Sequence, residues 1–174
     1  MSQINGHIGD SLLNLYTVGK LSGLTEVLFI ERCIRLLKPG GRLGIVLPEG
    51  VLNNTNLQTV RELFEGMAKI ILITSIPQDV FMASGATVKP SLLFFKKFTN
   101  EERAQFDAIK QAATEEVEAK YQSQLDEIDS FLAERGNPAE EKKAKRAERR
   151  ALETKIAAEI WAIVKEKFDY TIPI

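Results

Sequence analysis

Few residues of this sequence have a type and spacing suited to catalysis or metal binding. His7 is the only histidine and Cys33 the only cysteine. We therefore expect no metal site and no internal disulfide. The nucleophile pattern Gly-x-Ser-x-Gly does not occur, and carboxylates are abundant only after residue 100, where solvated helix faces explain them. The sequence predicts no catalytic residue.

The glycines at 40, 41 and 44 have the composition of a phosphate-binding loop but not its position. Such a loop follows a strand and opens a helix. Here Pro39-Gly40-Gly41 end a predicted helix, and the apolar run 43–47 that follows is typical of a strand buried on both faces. We interpret the glycines as a source of positive φ for a tight turn, and we assign no cofactor-binding residue.

Basic residues form a third group of side chains that could bind a ligand. Segment 135–150 contains seven basic and three acidic residues, a net charge of +4, whereas 100–134 contains ten acidic and three basic residues, a net charge of −7. Pairing of the two segments explains this pattern without any ligand. The alternative is contact with a phosphate backbone. The residues of this segment that we assign to that alternative are Lys142, Lys143, Arg146 and Arg149.

Hydrophobic periodicity predicts the elements that position these residues. Residues 1–23 are irregular. Val27, Ile30, Ile34 and Leu37 mark one helical face, with Thr25 as its cap. Strands are predicted at 43–47, 69–75 and 91–98, with a helix between the first two, capped by Asn56. The helical connection predicts that the first two strands are parallel, and the loop between the last two allows an antiparallel pair.

Two long helices are predicted after residue 100. Apolar residues recur at intervals of three and four from Phe106 to Leu132 and again from Leu152 to Phe168, separated by Gly136-Asn137-Pro138. This pattern is typical of an antiparallel helical hairpin with coiled-coil-like packing, with Asn137 as N-cap of the second helix. The predicted organisation is an irregular segment 1–23, an α/β domain 24–99 and a helical hairpin 100–174.

Composition limits the class of protein. The 174 residues are 44% hydrophobic and 27% charged, with a formal net charge of −1, values typical of a folded globular protein. No apolar run approaches the roughly 18–20 residues of a membrane span, and the N-terminus lacks the features of a secretory signal. We expect a cytoplasmic protein with no membrane partner.

Residues 24–98 resemble the N6-adenine DNA methyltransferases, most closely the modification subunits of type I restriction systems. The resemblance depends on an ordered series of short motifs rather than on any one of them. These motifs are 25–31, 36–54, Ile76-Pro77, Val80-Phe81, Gly85, Val88-Lys89 and 91–95. The resemblance implies the C-terminal half of a class I methyltransferase (Rossmann-like) sheet, here followed by the helical hairpin.

The same resemblance implies roles for residues of two loops. Pro48, Glu49 and Gly50 match a loop that borders the active-site cleft, and Phe81 matches an aromatic residue that stacks on the flipped-out adenine. Lys89, near Gly85 in the second loop, would neutralise a phosphate.

The reaction implied for the full-length parent is methyl transfer from S-adenosylmethionine to adenine N6. Two motifs that this family uses are missing: the glycine-rich cofactor loop and the Asn/Asp-Pro-Pro-Phe/Tyr tetrapeptide. Asn137-Pro138-Ala139 is not that tetrapeptide. We therefore expect a fragment that binds no cofactor and is inactive alone.

The implied partners are DNA and the restriction and specificity subunits of the parent system. A homodimer through the sheet edge or the hairpin is a further expectation, because a truncated sheet exposes an edge. Two alternatives remain open: a helical-hairpin module that binds protein or DNA without catalysis, and a methyltransferase fragment for a non-DNA substrate.

Overall fold

The computed structural model describes residues 14–21, 24–85, 88–134, 136 and 138–168. The chain divides into two compact units, one that includes residues up to Arg103 and one that begins at Ala104. The first is an α/β unit and the second consists of two long helices, so the predicted fold class is confirmed. His7 and Asn137 lie outside the described residues.

Five α-helices and three strands are present in the described residues. The helices are α1 (Thr25–Leu36), α2 (Glu49–Asn53), α3 (Gln58–Glu65), α4 (Asn100–Ala133) and α5 (Ala139–Lys167). The strands are β1 (Arg42–Pro48), β2 (Ala68–Ser75) and β3 (Pro90–Lys97). Short 3-10 turns occur at Val18–Lys20, Thr55–Leu57 and Gln78–Ser84.

The three strands form one sheet in the order β1-β3-β2. β3 pairs antiparallel with both neighbours, with Gly44 opposite Phe94 on one side and Leu72 opposite Phe94 on the other. β1 and β2 therefore run in the same direction, as the helical connection predicted, but they do not touch each other. β2 contains an irregularity between Ile70 and Leu72 that shifts its register against β3, as a β-bulge does.

One face of the sheet carries the core of the first unit. Leu47, Leu93 and Phe95 from this face pack with Ile30 and Ile34 of α1. The prediction that β1 is buried on both faces was wrong. Its residues alternate between the core face and an exposed face, which is the pattern of a strand covered on one side.

The residues of the open face include Gly44, Val46, Leu72 and Phe94, and the side chains of Val46 and Leu72 are 47% and 37% exposed. Phe94 covers Gly44 so closely that a Cβ there would lie 2.7 Å from the ring Cε1 atom. Gly44 is therefore required by this close approach and not by a positive φ. Of the three glycines in the pattern, Gly40 has positive φ, at 74°.

A buried carboxylate fixes the segment that precedes α1. Glu31 is fully buried on α1, and its oxygens accept hydrogen bonds from the backbone amides of Thr17, at 2.9 Å, and Val18, at 2.8 Å. The guanidinium of Arg35 pairs with the same carboxylate and donates to the carbonyl of Leu15. Glu31 thus satisfies two backbone donors, a buried one at Val18 and a partly buried one at Thr17.

The two helices of the second unit are antiparallel, because the residue numbers of the paired side chains decrease along α4 as they increase along α5. Arg149 pairs with Asp129, and Lys120 with Glu159. Val117, Tyr121 and Ile156 form a buried cluster between the helices. The predicted hairpin is therefore confirmed in its helices and in their antiparallel packing.

The helix starts differ from the predictions because backbone geometry rather than side-chain capping defines several of them. α1 begins at Thr25 with Leu24 as its N-cap, so Thr25 is not the cap. After β1, the side chain of Asn54, not Asn56, accepts the hydrogen bond, from the Asn56 amide at 3.0 Å. Pro138 is the N-cap of α5. Thr99 and Glu102 form a reciprocal capping box around the start of α4.

Candidate functional site

The ends of β1 and β2 and the beginning of β3 meet at one edge of the sheet. β1 ends at Pro48, which lies opposite Pro90, the first residue of β3. The amide of Ile76, directly after β2, donates to the carbonyl of Pro90 at 3.1 Å. Because β3 runs opposite to its neighbours, its beginning lies beside their ends. The two loops in which the sequence predicted binding residues therefore leave the sheet at the same edge.

Glu49 and Lys89 are brought together at this edge, forty residues apart in sequence. The Glu49 amide donates to the carbonyl of Lys89 at 2.9 Å. The Lys89 ammonium lies 3.2 Å from Oε2 and 3.3 Å from Oε1 of the Glu49 carboxylate. The ammonium that was predicted to neutralise a phosphate thus contacts a carboxylate instead. A phosphate bound here would have to compete with Glu49 or share Lys89 with it.

Pro48 and Gly50 shape the first loop. Pro48 is the N-cap of α2, with an extended ψ of 133° that turns the chain from strand into helix. Gly50 accepts a hydrogen bond from the amide of Asn54 at 3.1 Å, which closes the short helix. The first loop therefore leads directly into a compact helical turn at the sheet edge.

Phe81 lies in the second loop, on the 3-10 turn Gln78–Ser84. The turn starts after Pro77 and ends at Gly85, which has φ of 79° and donates its amide to the carbonyl of Met82 at 2.9 Å. Phe81 is 37% exposed, and its neighbours Val80 and Met82 are 54% and 64% exposed. The loop thus presents consecutive apolar side chains to solvent, and exposed apolar patches mark interaction surfaces.

The glycine turn before β1 does not fit an S-adenosylmethionine site. The amide of Gly40 donates to the carbonyls of Lys97, at 3.1 Å, and Phe98, at 3.3 Å, and the amide of Gly41 donates to Lys38 at 2.9 Å. These donors are satisfied within the protein and are not available to a ligand. In the ranges that the structure describes, no group of three histidine, cysteine, aspartate or glutamate side chains could hold a metal ion.

The predicted DNA-binding residues of α5 fall into two sets. Lys142 donates to the carbonyl of Glu134 at 2.6 Å, and Arg149 pairs with Asp129 at 2.8 Å and with Glu153. These carboxylates, Asp129 first, raise the pKa of the Arg149 guanidinium. Lys143 and Arg146 are exposed on another part of the helix surface. Pairing with α4 therefore explains part of the basic cluster, but not all of it.

None of the helices in the described part of the chain combines the length and the apolar character that crossing a bilayer requires. The long helices α4 and α5 are instead rich in charge along most of their length.

The fold and this site define an α/β protein with paired loops at one sheet edge and a helical hairpin. Residues 20–153, well over half of the chain, match the family described as N-6 DNA Methylase. The chain belongs to that family. The match includes the α/β unit, the whole of α4 and the first half of α5, and so extends beyond the residues 24–98 on which the sequence resemblance was based.

A solved protein from Listeria monocytogenes, described as a class I S-adenosylmethionine-dependent methyltransferase, is similar to 54% of this chain, with 21% identity and a TM-score of 0.48. The matched region spans 29% of the length of that protein. No curated protein matches the chain.

Sequence reasoning missed three features of the structure, two in the first unit and one on α5. The Glu49–Lys89 pair joins residues whose proximity depends on where β3 inserts, and no local pattern encodes that. The contact of Phe94 with Gly44 depends on strand register. Arg150, exposed on α5 beside Arg146, could have been found from helical spacing alone, since i and i+4 residues share a helix face.

Proposed function

We propose that this chain is part of the modification subunit of a type I restriction-modification system. The parent enzyme would transfer a methyl group from S-adenosylmethionine to N6 of adenine in DNA. The observation that carries this proposal is the family match over residues 20–153. The meeting of the Pro48–Gly50 loop and the Phe81 loop at one sheet edge supports it, because one site could then use both.

The role proposed for this chain is to hold the target base. The exocyclic amine of adenine is not accessible to an active site while the base is stacked, so the base must leave the duplex. Phe81 would stack on the flipped base, and the loop formed by Pro48, Glu49 and Gly50 would form the adjoining wall. Holding the base still accounts for much of the acceleration in such a reaction, because it fixes the angle of approach.

We further propose that the chain alone is inactive. The glycine turn has no free amides for a cofactor, and the sequence lacks the tetrapeptide that holds the adenine amine in this family. Isothermal titration of the purified chain with S-adenosylmethionine should show no binding, and incubation with duplex DNA and labelled cofactor should transfer no methyl group. Micromolar cofactor binding would contradict this part of the proposal.

The base-holding role is tested by substitution of Phe81. The probe is a labelled duplex with one adenine opposite an abasic site, so that the base leaves the stack at low cost. Stacking on an aromatic side chain is worth about 1–3 kcal/mol per base, so Phe81→Ala should weaken binding by roughly 5- to 150-fold in fluorescence anisotropy.

The control is Val80→Ala, because Val80 lies in the same turn and is 54% exposed. It should change affinity by less than about twofold, since it removes no ring. Equal effects of the two substitutions would show that Phe81 acts only by packing. An equal loss with an RNA duplex of the same sequence would favour a non-DNA substrate.

Partners are proposed on the same basis. DNA is the substrate, and the restriction and specificity subunits complete the assembly, which we place in the cytoplasm. The open sheet face around Val46 and Leu72 is the region we expect another subunit or a second copy to cover, because isolated proteins rarely expose large apolar patches. Light scattering across a concentration series tests the homodimer, and a monomer at all concentrations would exclude it.

A further inference from the structure

The basic side chains of α5 differ in what they contact. One set faces other protein groups: Lys142 binds the carbonyl of Glu134, Lys145 pairs with Glu148 at 2.9 Å, and Arg149 pairs with Asp129 and Glu153. We call Lys142, Lys145 and Arg149 the paired set. Each of these cations already contacts a protein group, a carbonyl for Lys142 and carboxylates for the other two, so binding an external anion would require breaking these contacts.

A second set has no such compensation. Lys143, Arg146 and Arg150 are exposed, and within the described residues none of them forms an ion pair or a side-chain hydrogen bond. Their spacing of i, i+3 and i+7 places them on one face of the helix. At 1.5 Å per residue they extend over roughly 10 Å of it. We call these three residues the outer stripe.

Between Lys143 and Arg150, that helix face contains no acidic side chain. Ala147 and Thr154 occupy the neighbouring positions of the face, and the Thr154 hydroxyl is bonded to the carbonyl of Arg150 at 2.8 Å. Like charges three and four residues apart repel each other on a helix. The outer stripe therefore costs stability in the free protein, and a polyanion bound to it would remove this cost.

The position of the stripe suits DNA for a second reason. Segment 100–134, which contains α4, has a net charge of −7 and would repel a phosphate backbone. DNA can approach the hairpin only where that charge is distant or compensated. The outer stripe is exposed, whereas the paired set is engaged with carbonyls and carboxylates, several of them on α4 or just after it. Charge thus favours approach to α5 at the stripe.

We propose that Lys143, Arg146 and Arg150 bind the phosphate backbone of DNA. This inference deepens the proposed function, on which the choice of DNA as the polyanion rests. It adds Arg150 to the residues predicted from the sequence, and it removes Lys142 and Arg149 from them. The contact is independent of base sequence, because Ala147, the short side chain between the cations on this face, is not built to reach base edges.

The experiment compares two triple variants of the full chain that remove the same charge. The outer variant is Lys143→Gln, Arg146→Gln, Arg150→Gln, and the matched control is Lys142→Gln, Lys145→Gln, Arg149→Gln. Binding of a labelled 25-base-pair duplex is measured by anisotropy from about 50 to 200 mM KCl, a range over which phosphate contacts weaken strongly. Circular dichroism verifies that each variant is helical, and the single variant Arg149→Gln replaces the control if the triple variant unfolds.

Each phosphate contact contributes about 0.9 to the slope of log affinity against log salt. The slope of the outer variant should be smaller in magnitude by about 2.7. Raising the salt from about 50 to 200 mM should therefore weaken its binding by a factor about 40-fold smaller than for the wild-type chain. The control should retain the slope of the wild-type chain to within about one contact, or 0.9. Equal losses in the two variants, or a wild-type chain that binds no DNA, would overturn the proposal.

Two further measurements separate this proposal from its rivals. Poly-glutamate that competes as well as DNA at equal charge would show that the stripe recognises acidic protein, and the proposal would be wrong. Phe81→Ala removes no charge and should leave the salt slope unchanged. If the slope depends on the stripe while Phe81 has no effect on affinity, the stripe is supported and the base-holding role fails. The reverse result would refute the stripe alone.

Discussion

Replacement of Glu31 by alanine should destabilise the first unit substantially. The Glu31 carboxylate is completely buried and accepts hydrogen bonds from the amides of Thr17 and Val18, at 2.9 and 2.8 Å. A hydrogen bond to a charged group contributes about 1.5–3 kcal/mol. Loss of both would cost about 3–6 kcal/mol if the segment stayed in place with its donors unsatisfied.

The segment can also escape this cost by leaving the core. That exposes Val18, which is completely buried, and burial of a valine side chain is worth roughly 1.5–3 kcal/mol. The protein will take the cheaper of the two routes, so we expect a cost of about 3 kcal/mol for Glu31→Ala. Glu31→Gln retains one oxygen acceptor and should cost about half as much, roughly 1–2 kcal/mol.

Hydrogen exchange measured by NMR gives a local readout for this prediction. Exchange at the Thr17 and Val18 amides should become about 100-fold faster in Glu31→Ala, since every 1.4 kcal/mol is a factor of ten. Urea denaturation provides the global value. The control is Glu62→Ala on α3, because Glu62 has an exposed bond to Gln58 worth roughly 0.2–0.5 kcal/mol. If Glu31→Ala cost no more than this control and left exchange unchanged, the carboxylate would not be what fixes the segment.

Three further substitutions test other parts of the fold by thermal or urea denaturation. The hydrogen bond from the Thr99 amide, and to a smaller extent Lys69, lowers the pKa of the Glu102 carboxyl. The stabilisation that ionised Glu102 provides is therefore complete above the ordinary pKa of 4.5 and is lost as pH falls through the lowered pKa. Glu102→Gln should abolish that acid-dependent loss. Gly44→Ala should cost about 1–3 kcal/mol by displacing Phe94, and less in a Phe94→Ala background. Gly40→Ala should cost about 1–2 kcal/mol because Gly40 has φ of 74°.

Local patterns predicted the elements of this fold well because each depends on residues close in sequence. The face of α1 through Val27, Ile30 and Ile34 is buried, and the seams of α4 and α5 pack together, as at Val117 and Ile156. Such periodicities indicate which face of a helix or strand packs against apolar side chains.

What local patterns could not predict was the arrangement of the strands. The apolar run of β1 is equally compatible with burial on one face or two, because valine and leucine also occur on open faces. The alternation of exposure along β1 became visible only in the sheet, where Val46 is 47% exposed and Leu47 only 3%. Likewise, Glu31 was not identified as a core residue, because a charged side chain is seldom buried without partners, and the backbone amides that bind it lie 13 and 14 residues away.

The pairing of Glu49 with Lys89 follows from a single topological fact. A strand parallel to β1 would begin at the opposite edge of the sheet from where β1 ends. Because β3 is antiparallel, its first residue, Pro90, lies opposite Pro48, and the residue before it is carried to the start of α2. The same reversal brings Ile76, after β2, to Pro90. Because β3 is inserted antiparallel between two strands that run the same way, the segments after β1, after β2 and before β3 all lie at one edge of the sheet. The proposed base-holding site depends on that insertion.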